Sequence, residues 1–164
     1  MADSVSSVSS SSTNLVLSST LPVDTIDIAT LSSEEIKAIS TSEFSTLTTA
    51  QLALIQPESI PGLTSAQIAA MPTGSLATLS NDQVTQLTSS QLTSLKTSLL
   101  QELKPTQLQA MKSCQISGLQ QTQISSFTTL QISSLTQDQV AALTNPQVIS
   151  LTSIQIAALT TAQY

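Results

Sequence analysis

The chain has 164 residues, a net charge of −6 and only 9% charged residues, against about 25% in ordinary globular domains. Ser (30), Thr (24) and Gln (19) dominate, Arg, His and Trp are absent, and Cys114 is the single cysteine. Length favours one domain. Composition excludes a His or multi-Cys metal or haem site, a basic footprint for nucleic acid, and most acid–base or nucleophilic catalytic sets.

Residues 1–22 come first in chain order. They are rich in Ser and nearly uncharged, which reads as a disordered tail. A Sec signal needs a basic region and an apolar run of roughly 7–15 residues; Leu15-Val16-Leu17 is too short. The composition resembles that of bacterial type III secretion substrates. No stretch approaches the ~18–20 apolar residues of a membrane span.

From Val23 onward an eight-residue pattern holds without a slip. Every eighth residue from Val23 to Leu159 is apolar, and so is every eighth from Ile28 to Tyr164, eighteen positions in each series. The unit is L-[ST]-x-x-Q-[ILV]-x-x. In a continuous helix, eight residues overshoot two turns by about 80°, so no buried stripe forms. Coiled coils need periods of about 7 or 11. In a continuous strand, the alternating spacings of five and three put successive anchors on opposite faces.

The polar positions supply the solution. In eleven octads a Ser or Thr follows the first apolar residue, and Glu or Gln stands three residues later, as in Leu47-Thr48-Thr49-Ala50-Gln51-Leu52. That is a capping box, flanked by the N′ and N4 positions of a hydrophobic staple. Each octad therefore opens a helix, and the next opening limits it to about one and a half turns. Pro57 and Pro105 fall at N1, where Pro is favoured. Gly62 and Gly118 fall where a helix must end. Eight of the ten acidic residues, Glu35 and Glu43 among them, lie between N-cap and N3, the end the helix dipole favours for negative charge.

Helices this short are unstable alone, so the octads must stack. The expected fold is an all-α solenoid of very short helices over residues 23–164, about 18 repeats, forming a slim rod. A β-solenoid is the alternative, because Thr and Val favour strands and spaced Gln can form ladders. Glu34, Glu58 and Asp82 recur at the N2 site every 24 residues, as do Leu130 and Ile154. Three octads per coil would produce this, and so would chance among few residues.

Lys96, Lys104 and Lys112 replace the N-cap hydroxyl in three consecutive octads, and Leu99 replaces a Gln. A cation at an N-cap opposes the dipole and offers no acceptor. The three lysines are the candidate partner-binding residues, as a basic patch for an acidic partner; drifted repeats with solvated lysine heads are the other reading. Cys114, at N2, has no base beside it in the sequence pattern and reads as an inert small residue. No Gly-rich phosphate loop and no calcium loop occurs. The sequence names no catalytic residue, metal ligand or cofactor.

The octads Leu135–Ala142 (LTQDQVAA), Leu143–Ser150 (LTNPQVIS) and Leu151–Ala158 (LTSIQIAA) resemble the LTTAQIAA arrays of large bacterial secreted or surface proteins, often described as adhesin-like. The resemblance spans about 140 residues. It implies a bacterial, extracellular, structural role as a spacer or stalk, without a Sec signal; a cytoplasmic location stays open. The expected function is a non-enzymatic spacer or self-assembling rod or filament subunit, whose partner is itself or the rest of a longer array. The sequence stops within an octad at Tyr164 without a polar capping repeat, which fits either a fragment or end-to-end stacking. The alternatives are a binding or adhesion module and a secreted effector scaffold that recognises a partner through the repeat face.

Overall fold

A computed structural model describes residues 27–159; the expected tail and the last capping box, Thr160 with Gln163, lie outside them. The described residues form short helices only, with no strand. They are α1 (Ser33–Ala38), α2 (Thr41–Ser45), α3 (Thr49–Ala53), α4 (Ser65–Ala69), α5 (Ser75–Thr78), α6 (Asn81–Thr85), α7 (Ser89–Ser94) and α8 (Thr97–Leu100). After these come α9 (Pro105–Ala110), α10 (Ser113–Ser117), α11 (Gln121–Ser125), α12 (Thr129–Ser134), α13 (Gln137–Ala141), α14 (Asn145–Ser150) and α15 (Ser153–Ala158). Two 3-10 helices, Ile28–Thr30 and Pro57–Gly62, fill octads of the same series. None of the described helices is long and apolar enough to cross a membrane.

Helix length follows from the capping chemistry. The ten Ser/Thr–Glu/Gln pairs within the described residues all close as capping boxes. At Thr48 the hydroxyl accepts from the Gln51 N–H at 3.2 Å, and Gln51 Oε1 accepts from the Thr48 N–H at 2.8 Å. The next N′ residue then leaves the helix in extended geometry, as Leu95 does at φ −68°, ψ 135°. Pro57 and Pro105 open their helices as expected.

Helices 24 residues apart pack against one another. The 3-10 helix Pro57–Gly62 lies between α1 and α6, α9 between α6 and α12, and α15 follows α12. A second column runs through α3, α5, α8, α11 and α14. The third holds α2, α4, α7, α10 and α13, with contacts between α2 and α4, α4 and α7, and α10 and α13. Each coil therefore contains three octads, and successive octads occupy different columns.

The two apolar series fill the space between the columns. The N4 residues from Ile28 to Ile132 are at most 2% exposed, and the N′ residues from Ile39 to Leu135 at most 5%. They form one continuous core. The β-solenoid alternative is overturned: the capping boxes outweigh the strand preference of Thr and Val, since each satisfies two helix-end donors locally.

Gly62 and Gly118 do end helices, but not through left-handed geometry; Gly74 alone has positive φ among the described residues, at 86°. Gly62 is needed for closeness. A Cβ there would clash with the Ser33 backbone, its carbonyl oxygen first, in the coil beneath.

Candidate functional site

The chemistry concentrated in this fold is a glutamine ladder. The N3 side chain of an octad closes its own capping box through Oε1. Its Nε2 amide then reaches the preceding coil. In Gln67, Oε1 accepts from the Thr64 N–H at 2.7 Å, while Nε2 donates to the carbonyls of Ile36 and Ile39, each at 2.8 Å. These acceptors lie 31 and 28 residues earlier, on either side of the bend between two octads.

The arrangement recurs with little variation. Gln91 donates to Ile60 and Leu63 at 2.8 and 2.7 Å, Gln107 to Leu76 and Leu79 at 2.7 and 2.8 Å, and Gln131 to Leu100 and Leu103 at 3.0 and 2.9 Å. Gln83, Gln115, Gln123, Gln139, Gln147 and Gln155 bridge coils in the same way. These side chains are buried, 1–4% exposed. A buried amide satisfied at both ends is both cap and cross-link, and removing it strands several polar groups at once. The sequence pattern explained these glutamines by the capping box alone and missed their second bond.

Above the first coil, three N3 positions among the described residues carry no Gln. Ser59 keeps one of the two bridges, its hydroxyl donating to the Leu31 carbonyl at 2.7 Å. Ser75 turns to the local Pro72 carbonyl instead. Leu99 is 1% exposed and places hydrocarbon where an amide stands elsewhere. The octads of Ser75 and Leu99 lie on one another, α5 against α8. There Glu102 accepts from the Gly74 N–H at 2.8 Å, a substitute link between the coils.

Acids hold the octad pattern's N3 places in the first coil, though the structure uses Asp27 as an N-cap. Asp27 caps the helix Ile28–Thr30, accepting from the Ala29 N–H at 3.2 Å. Glu35 and Glu43 close capping boxes with Ser32 and Ser40. Hydroxyl and backbone hydrogen bonds from those serines hold both carboxyls below the ordinary carboxylate range.

Lys96, Lys104 and Lys112 sit at the N-caps of α8, α9 and α10, all exposed. Consecutive octads belong to different columns, so the three lysines stand at the N-caps of one helix in each column. Without a hydroxyl, the backbone compensates: the Gln115 N–H donates to the Lys112 carbonyl at 2.9 Å, and the Lys112 N–H still donates to Gln115 Oε1 at 2.8 Å. Cys114 is exposed, beside Lys112 on a shallow groove edged by Pro61, Thr85 and Ser89. No group of His, Cys, Asp and Glu that could hold a metal ion occurs among the described residues.

The exposed large apolar residues other than Leu54 gather toward the last coils: Leu130, Val148, Ile149, Ile154 and Ile156. Leu130 and Ile154 share the N2 position one coil apart, on the packed pair α12 and α15. Comparison with protein-family models, with curated proteins and with solved structures returned no match.

Proposed function

We propose that this chain is a non-enzymatic structural repeat protein, an elongated spacer built by adding equivalent coils. The observation that carries this reading is the glutamine ladder, which joins coil to coil by one repeated device. Its buried polar chemistry is directed along the stack, toward the neighbouring coil. The bacterial, extracellular setting rests on the resemblance to LTTAQIAA arrays alone. The partner, on this reading, is more of the same array.

Small-angle X-ray scattering tests it. The full chain is compared with a variant lacking residues 103–126, one whole coil that rejoins the pattern in step. The expected result is an elongated particle that shortens by one coil and stays folded. A compact or fully flexible particle would refute the spacer reading.

A binding or adhesion module is the second reading, favoured by Leu130 and Ile154. They are 64% and 71% exposed and stacked on one side. Exposed apolar groups in adjacent coils are what a lateral protein contact uses. Self-association or surface binding lost in a Leu130→Ser/Ile154→Ser variant of unchanged helicity would support this reading over the first.

A further inference from the structure

The bends where the chain passes from the third column to the second recur one coil apart and stack on one another. In the later coils they are bridged. Gln123 donates to the Leu92 and Leu95 carbonyls at 2.8 and 3.0 Å, and Gln147 to Ile116 and Leu119 at 3.0 and 2.7 Å. The two earlier bends, residues 44–47 and 68–71, are not bridged. In the same register they would be served by Ser75 and Leu99. Ser75 donates to the Pro72 carbonyl instead, and the Leu99 side chain has no donor. No side chain of the described residues donates to the Leu47 or Met71 carbonyl. Both residues are buried, 2% and 3% exposed, so water reaches those carbonyls poorly.

The link that stands in is weaker. Glu102 accepts from the Gly74 N–H through Oε1, one bond in place of two. Its Oε2 is the one buried side-chain polar atom among the described residues without a hydrogen-bond partner. A half-satisfied group of this kind loses hydration and regains little. Parting the coils here returns water to Oε2 and to the two carbonyls, a gain that a bridged bend does not have. The octads carrying Ser75 and Leu99 are also weak locally: α5 and α8 have four residues each, and neither has a side-chain cap bond. The bends before and after are held. Gln67, Gln83, Gln91 and Gln107 donate to the Ile39, Ile55, Leu63 and Leu79 carbonyls at 2.6–2.8 Å.

We propose that these two stacked bends form a built-in hinge: the coils part first at residues 44–47 and 68–71, while the neighbouring bends stay closed and act as the pivot. At a bridged bend, opening breaks two bonds from a buried amide. At residues 68–71 it breaks the single Glu102 bond, and at residues 44–47 it breaks no bond from an N3 side chain. The stack therefore bends at a fixed place, away from the edge that opens. The hinge follows from the stacking alone and does not depend on the spacer reading.

Amide hydrogen exchange of the full chain tests it at four matched positions. The Leu47, Ile55, Leu63 and Met71 amides each donate to the carbonyl three residues earlier, at 3.1–3.3 Å. They differ in whether a glutamine bridges the bend. After correction for local sequence, Leu47 and Met71 are expected to exchange at least about tenfold faster than Ile55 and Leu63. A hydrogen bond of ordinary net strength shifts a local opening equilibrium by about that factor. Leu99→Gln restores the bridging amide and should slow Met71 to the Leu63 rate while leaving Leu47 fast. Ser75→Gln should slow Leu47 and leave Met71 fast. Equal rates at all four amides of the unmodified chain would overturn the hinge, whether or not either variant folds. Fast Leu47 and Met71 amides that a folded Leu99→Gln variant leaves unchanged would overturn its origin in the missing bridges.

Discussion

Gln131→Glu isolates the ladder from the capping box. The change is nearly isosteric and keeps an oxygen to accept from the Thr128 N–H, now at 3.0 Å. It replaces the amide nitrogen, 3.0 and 2.9 Å from the Leu100 and Leu103 carbonyls, with oxygen. Two bonds to buried carbonyls are lost at about 1–3 kcal/mol each. The side chain is 2% exposed, so the introduced carboxyl also loses hydration. The expected cost is roughly 3–6 kcal/mol near neutral pH. It should shrink in acid, because burial raises the pKa of the new group and protonation restores one donor. Urea unfolding followed by circular dichroism measures it, with Gln131→Leu as the control that mimics Leu99 and removes the donors without adding charge. If Gln131→Glu costs less than about 1 kcal/mol, or no more than Glu43→Gln in the first coil, the bridging role is wrong.

Gly62→Ala should destabilise by about 1–3 kcal/mol, as overpacking does, because its Cβ meets the Ser33 backbone; Gly118→Ala, whose nearest contact is 3.2 Å from the Cys114 carbonyl, should cost less, as paired thermal melts will show. Glu35 and Glu43 have lowered folded pKa values, so their stabilisation is present above the ordinary carboxylate range and is lost as pH falls through the folded values. A Glu35→Gln/Glu43→Gln variant should accordingly show a flatter loss of stability between about pH 5 and 2; an unchanged acid limb would count against those capping bonds. Deleting eight residues, 103–110, should disrupt packing of all later coils, while deleting 103–126 should not, as helicity per residue will report.

The octads, the capping boxes and the two core series were legible because they are local: a hydroxyl, an N3 acceptor and flanking apolar residues act within six positions. The coil interface was not, because it joins residues 24–31 apart and no local rule demands it. A signal existed nonetheless. Glu at N3 would suit the helix dipole better than Gln, yet Glu occurs there only at Glu35 and Glu43. The preference for Gln elsewhere needs a donor, and the donor needs a partner beyond the octad. The placement of the lysines was hidden for a related reason. Lys96, Lys104 and Lys112 are evenly spaced in sequence, and a threefold coil turns that spacing of eight into one N-cap in each of three columns.

The most direct test of the threefold coil is the side-chain amide signal of its glutamines in solution. Nuclear magnetic resonance of the full chain should show the Gln91, Gln107 and Gln131 Nε2 protons exchanging slowly, with cross-peaks to residues 28 and 31 positions earlier. Exposed Gln137 serves as the fast-exchanging reference. Rapid exchange equal to that of Gln137, or cross-peaks to residues at another separation, would contradict the ladder and the stacking that depends on it.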